Sequence, residues 1–220
     1  MTSAAQPYRA EQLAQACNLG TSTLFEASGL STSATDVAIR PVWAGAAVAG
    51  PAYPLECSPG DNLAIHIAME KAPRGSILVI STGGFVAGYW GEVLTVAAEA
   101  AGVAGLVIDG GVRDVAALTA RRFPVFSRGI SMRGTIKASA PSVGQPISFT
   151  GAPVAAGDLV AAGDLVVADD DGVLVIPAIH VAHTLAQGQA RADKEARMME
   201  ALTQGQSTLE LMNLTSFRQA

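Results

Sequence analysis

The chain has 220 residues, with 19 acidic against 14 basic side chains and a net charge of −5, so it exerts no broad attraction on phosphate backbones or anionic lipid. Neither nucleic acid nor a membrane surface is expected as a partner. Half of the residues are apolar, 15% are charged and 5% are aromatic. Small aliphatic side chains must therefore fill closely packed α/β layers, in what reads as one domain over residues 1–220.

Residues 1–10 include Gln6, Pro7, Tyr8 and Arg9 but no apolar core of a secretory signal. Gly, Asp or Arg interrupts every apolar segment before it reaches the roughly eighteen residues that a membrane span needs, and a cytoplasmic protein is expected. A helical N-terminal segment covers about 10–30: Leu13, Ala14, Ala16 and Cys17 recur at helical spacing, Gly20 is a stop, and Thr21 starts a second short helix. Cys17 and Cys57 have no close-spaced partner and read as small buried or half-buried hydrophobes.

After Arg40-Pro41, residues 42–48 read as a strand, while Pro51, Pro54 and Pro59 make the next stretch a loop. Asp61 or Asn62 caps a helix that runs to about Lys71 and ends at Pro73-Arg74-Gly75. The apolar run 76–81 is a strand closed by Thr82-Gly83-Gly84, 92–101 is an Ala-rich helix, and 105–109 is a second strand. Together, residues 76–109 form a βαβ unit with parallel strands. Ligands bind outside the carboxyl ends of such strands, here at Thr82-Gly83-Gly84 and Asp109-Gly110-Gly111.

A short helix over 115–120, a strand at Val125-Phe126 and a β-like alternation from Ile147 to Pro177 follow, the last with Gly-Asp turns at 157–158 and 163–164. Val-Ala-Ala-Gly-Asp-Leu occurs twice in tandem, at 154–159 and 160–165, as a local duplication that lengthens a hairpin. The C-terminal helix covers about 178–203 and is charged on one side, and the tail after Gly205 is a surface segment.

The stretch Leu106-Val-Ile-Asp-Gly-Gly-Val-Arg-Asp114 carries the chemistry. An apolar strand runs through two glycines into an adjacent cation and carboxylate. Two readings fit: Arg113 and Asp114 form a site at the strand's end, or Asp114 caps the next helix while Arg113 pairs with a surface acid. Glu92 precedes Arg113 by twenty intervening residues, one helix plus one strand, which return the chain to the same sheet edge. Two carboxylates beside an arginine suit an oxygen-ligated divalent cation such as Mg²⁺, although Glu92 equally suits a helix N-terminus as a plain acid.

These residues make the chain resemble the 4-hydroxy-4-methyl-2-oxoglutarate / 4-carboxy-4-hydroxy-2-oxoadipate aldolase family, whose fold is shared with RraA-type inhibitors of ribonuclease E. The shared pattern runs from Pro59 to Pro177 and includes Pro59-Gly-Asp-Asn-Leu63, Gly83-Gly84, Trp90-Gly-Glu92, Asp109-Gly-Gly-Val-Arg-Asp114, Pro124-Val-Phe-Ser-Arg-Gly129, Gly134-Thr135 and Asp169-Asp-Asp-Gly-Val173. Glu92 stands where the family has aspartate, one methylene longer, and the second Val-Ala-Ala-Gly-Asp-Leu copy is an insertion relative to it.

The resemblance implies an αββα sandwich related to swivelling phosphohistidine-type domains, assembled as a homotrimer or hexamer with sites between subunits. It implies that Asp114 ligates Mg²⁺ (or Mn²⁺) directly, with Glu92 holding the ion through water, as does Glu195 from a neighbouring subunit. Arg113 would bind the carboxylate and ketone oxygen of a small 2-oxo acid, the backbone amides of Val93 and Leu94 its carboxylate, and Gly91 and Gly84 would border it. The expected activity is a class II pyruvate aldolase with oxaloacetate decarboxylase side activity. The alternatives are a protein-binding regulator of the RraA type and a lyase or hydratase acting on a related acid.

The remaining candidates are fewer. No covalent lysine is required, so Lys71 and Lys137 are surface or binding residues. His66, at mid-helix near the Pro-Gly-Asp-Asn segment, reads either as facing the site or, more commonly for such a residue, as a core or surface side chain, and His180 with His183 as surface. Residues 169–172 read as a polar β-turn, and Arg128 and Arg133 as contacts for a second substrate carboxylate.

Overall fold

In the computed structural model, the structure describes residues 7–29, 34–149 and 159–219. The elements are α1 (Ala10–Ser28), β1 (Arg40–Pro41), β2 (Val48–Glu56), α2 (Leu63–Lys71), β3 (Ile77–Ser81), β4 (Gly88–Trp90), α3 (Glu92–Ala101), β5 (Gly105–Val112), α4 (Val115–Arg121), β6 (Val125–Ile130), β7 (Ser142–Val143), β8 (Leu165–Asp169), β9 (Gly172–Ile176), α5 (Val181–Thr203) and α6 (Thr208–Leu211). The strands hydrogen-bond in the order β1-β6-β5-β3-β2-β8-β9, with β4 added to β5 and β7 to β2.

Side-chain alternation sorts the chain into α, β, β and α layers. On β3, Leu78 and Ile80 face a core shared with α2, α3 and α4, while Ile77 and Val79 face the opposite way. That second core lies between the two sheet layers, where they meet Val107 of β5, Phe126 of β6, and Val166 and Ala168 of β8. The other face of β8, Leu165 and Val167, packs with Leu174 and Ile176 of β9 against α1 and α5. The expected α/β sandwich is therefore present, and β3 pairs with β5 in parallel, as the βαβ reading requires.

Two expectations fail between residues 42 and 56. Residues 42–47 form bends and a turn rather than a strand, because Trp43 Nε1 donates to Phe123 O (2.9 Å) and Gly45 N, in the left-handed region, donates to Asp170 (2.9 Å). The proline-containing stretch is instead the nine-residue strand β2. Donor direction alternates along a strand: Ala52 N donates to Asp164 O (2.7 Å) and Cys57 N to Ser81 O (2.8 Å), on opposite edges. Pro51 thus faces away from β8 just before the β3 ladder begins at Ala52, and Pro54 faces away from β3, so neither position needs a donor.

The kink in α1 falls at Gly20 (φ 77°), where Thr21 donates through N (2.8 Å) and Oγ1 (2.6 Å) to Asp169. Asp169, Asp170 and Asp171 form the tight turn from β8 to β9 and fasten it to α1 and to Gly45, the polar turn that was expected. Most of the first Val-Ala-Ala-Gly-Asp-Leu copy, with its turn at 157–158, lies outside the described residues. In the second copy, Val160 bridges Ile147 and Leu165 opens β8. Among the described residues, no helix is long and apolar enough to cross a membrane.

Candidate active site

The carboxyl ends of β3 and β5 meet the short strand β4, which sequence patterning does not show. Asp109, fully buried in β5, accepts from Thr82 Oγ1 (2.8 Å) and Gly84 N (3.2 Å), so a carboxylate below the site shapes the glycine loop above it. Gly83 (φ 64°) and Gly84 (φ 75°) are both left-handed and a Cβ on either would meet nothing within 4 Å, so conformation rather than crowding requires glycine there. The buried Trp90 fixes the end of β4 by stacking on Phe123 (6.0 Å between centroids) and donating to Thr95 Oγ1 (2.8 Å). Its carbonyl accepts Arg113 N (2.8 Å), which holds the end of β5 against β4.

Asp114 does not cap α4 with its side chain. It adopts the left-handed conformation (φ 59°, ψ 37°), uncommon for a residue with a Cβ, and its carboxylate turns to the start of α3, where Glu92 N donates to Oδ2 (3.0 Å). Arg113 Nε lies 3.8 Å from the same oxygen, and the two side chains are 51% and 44% exposed, open to a ligand. The first intrahelical bond of α3 runs from Thr95 N to Gly91 O (3.0 Å), so the amides of Val93 and Leu94 precede it beside Asp114.

Gly91 is buried, and a Cβ there would lie 2.3 Å from Asp114 Oδ2 and 3.1 Å from Arg113 Cγ. A Cβ at Gly88 would lie 3.2 Å from Arg113 Cδ and 3.1 Å from Arg133 O. Gly88 thus lies against the Arg113 side chain and the Arg133 backbone, and the Arg133 guanidinium rests over the Phe85 ring at 5.0 Å.

Other expected residues lie elsewhere. Glu92 reaches the cluster by its amide only, since its carboxylate pairs with Arg121 (3.2 Å), which also holds Glu99 (3.1 Å). Glu195 pairs with Arg191 (2.8 Å) and lines a cleft with Lys194, Met198, Leu202 and Leu211, none of whose walls comes from α3 or β5. Arg128 pairs with Asp36, and Arg133 lies over Phe85. His180 and His183 are exposed, and so is Cys17, contrary to the expectation of a buried or half-buried thiol. Burial pushes the Cys57 thiol up to about 12, which makes it inert.

Sequence reasoning took Asn62 only as a candidate helix cap and as part of Pro59-Gly-Asp-Asn-Leu63, and missed it as a residue of the site's surroundings. The helix-start bond comes from Asp61, whose Oδ1 accepts Leu63 N (2.9 Å) and whose Oδ2 ties down Ala138 (2.8 Å) and Ser139 (2.7 Å). Asn62 Nδ2 instead donates to Tyr89 O (3.0 Å), next to Trp90. Asn62 Oδ1 and, one helical turn on, His66 Nε2 are buried without a hydrogen-bond partner among the described residues. Such atoms cost about 1–3 kcal/mol each unless water or a ligand meets them.

Burial, then the nearby Lys137 ammonium, pushes the His66 imidazole below its ordinary 6.5. Below 6.5 the unfolded chain therefore binds a proton that the folded chain refuses, and stability falls as the pH drops through that window. Replacing His66 by glutamine is expected to flatten the melting temperature against pH below 6.5 and to leave it unaltered above, as thermal melts from pH 5 to 8 will show.

Among the described residues, no group of three or more His, Cys, Asp or Glu side chains could hold a metal ion by itself. The donors present, an outward-facing Asp114 carboxylate beside the Gly91 cradle with Glu92 next in the chain, fit a Mg²⁺ that keeps most of its waters and takes one or two carboxylates.

Comparison with known proteins bears on the family and the fold. The chain is 35% identical over 161 residues to a protein of Halalkalibacterium halodurans with the provisional name 4-hydroxy-4-methyl-2-oxoglutarate aldolase, covering 72% of this chain and 74% of that one. A Burkholderia multivorans protein with the same provisional name is 34% identical over 139 residues, covering 63% and 80%. A structure from Pseudomonas syringae pv. tomato, of a protein without an assigned function, superposes with a TM-score of 0.78 at 28% identity, covering 93% and 98%. Streptomyces coelicolor RraAS2, described as an unusual member of the RNase ES inhibitor RraA family, shares the fold at a TM-score of 0.71 and 24% identity, covering 87% and 98%. Residues 16–175 match the family described as RraA-like, Aldolase/RraA, and the chain belongs to that family.

Proposed function

We propose that the chain is a divalent-metal-dependent, class II pyruvate aldolase that cleaves a 4-hydroxy-2-oxo acid into pyruvate and a second carbonyl product, with oxaloacetate decarboxylase side activity. One observation carries the reading: Asp114 is held in a left-handed conformation that turns its carboxylate away from its own helix and beside Arg113 and the α3 amides.

In the cleavage, the C4 hydroxyl loses its proton and becomes a carbonyl as the C3–C4 bond breaks, and the electron pair passes to C3 and the ketone oxygen. A proton then adds to C3 to give pyruvate. A divalent cation, Mg²⁺ or Mn²⁺, at Asp114 supplies positive charge to that oxygen when bound. Arg113 faces the same oxygen and the neighbouring carboxylate, so its charge counts for more as the enolate forms than in the neutral ketone. The amides of Val93 and Leu94 hold the carboxylate, Gly91 and Gly84 leave room for it, and Arg133 over Phe85 is placed to receive a second acidic group. Glu92, and Glu195 from a neighbouring copy in a trimer or hexamer, would act through water. The likeness to RraAS2 favours a second reading, a non-catalytic RraA-type regulator acting through surface contacts, but that reading gives Asp114 no task.

With oxaloacetate or 4-hydroxy-4-methyl-2-oxoglutarate and Mg²⁺, pyruvate release coupled to lactate dehydrogenase is expected, and EDTA is expected to stop it. Absence of metal-dependent pyruvate from either substrate would leave the regulator reading standing.

A further inference from the structure

We infer that Arg121 is a positioning residue that sets the chain's affinity for a divalent cation by competing for the Glu92 carboxylate, an inference that rests on the metal-dependent reading above. The amide of Glu92 is fixed on Asp114, so its Cα stands beside the proposed cation site while its carboxylate is turned away. The proposed competition is between these two places for one carboxylate, reached by rotation about the Glu92 side chain.

What holds it away is specific. Glu92 and Glu99 are seven residues apart, two turns on one face of α3. Arg121, the last residue of α4, puts its guanidinium between them, with Nε and Nη2 on Glu92 Oε1 (3.3 and 3.2 Å) and Nη1 on Glu99 Oε2 (3.1 Å). Glutamate reaches this guanidinium, and an aspartate at 92 would fall a methylene short. Glu99 divides the hold of Arg121, so the two acids compete for one cation. The three side chains are 34–48% exposed, a setting in which an ion pair is worth about two- to five-fold in an equilibrium constant. Such a contact tunes the uptake of a dication without blocking it.

The test is a titration of Mn²⁺ into the full-length protein, with the free ion followed by its electron paramagnetic resonance signal. Arg121→Gln is expected to lower the Kd about two- to five-fold, and Glu99→Gln, which leaves Arg121 wholly to Glu92, to raise it. The deciding arm is the Glu92→Asp background, where Arg121→Gln is expected to change nothing. An unchanged or weaker Kd in Arg121→Gln, or an equal gain in the Glu92→Asp background, overturns the inference, the second result reassigning the effect to long-range charge. If the unaltered chain binds Mn²⁺ no better than Asp114→Asn does, the metal reading fails and the inference with it. Binding that Asp114→Asn abolishes and Arg121→Gln leaves unchanged overturns the inference alone.

Discussion

Asp114→Asn is expected to fold normally and to lose at least about a thousandfold of its pyruvate-forming kcat, because the charge that would hold the cation is gone. Asparagine tolerates the left-handed conformation and still offers an oxygen to Glu92 N, so the backbone around position 114 has no cause to move. Asp114→Gly sharpens the test. It is expected to be equally inactive yet about as stable as the parent, since glycine relieves the left-handed conformation at φ 59° while giving up the bond from Glu92 N, two effects of about 1 kcal/mol each. Coupled assays beside thermal melts separate the outcomes, and full activity in either variant would exclude the role given to this carboxylate.

Gly91→Ala is expected to lower activity about a hundredfold with little change in melting temperature. The backbone at Gly91 is extended (φ −166°), open to any residue, so alanine costs nothing there in conformation. Its Cβ would instead stand 2.3 Å from Asp114 Oδ2 and 3.1 Å from Arg113 Cγ, pushing aside two half-exposed side chains by about an ångström, a displacement of the size that costs catalysis dearly. Gly111→Ala is the contrast, because its Cβ would meet the Ala87 backbone carbonyl at 2.6 Å, which cannot swing aside as a side chain can, and both stability and activity are expected to fall. Kinetics and melts of the two variants side by side check the distinction.

How much of this was readable in advance follows from where each piece gets its energy. β3 and β5 are continuous apolar runs between turn residues, and buried parallel strands announce themselves that way. The three residues of β4 are held by pairing with β5 and by the bond from Gly88 N to Arg133 O (2.7 Å), both distant in sequence, so nothing local marks them. β2 hid behind prolines whose missing donors are harmless only because the strand changes partners midway. At the site, Arg113 and Asp114 were legible as a strand-end pair with glycines around them. The direction of the Glu92 carboxylate was not, because Arg121 decides it from 29 residues further along the chain.

Strand β2 has a consequence for how the molecule comes apart. Its first half is bonded to β8 and its second half to β3, so one unbroken stretch of backbone is stitched into both sheets. Detaching either sheet would strip amides and carbonyls from this shared strand and leave them exposed. The two halves of the sandwich accordingly melt together, and an opening that frees one without the other has no cheap route.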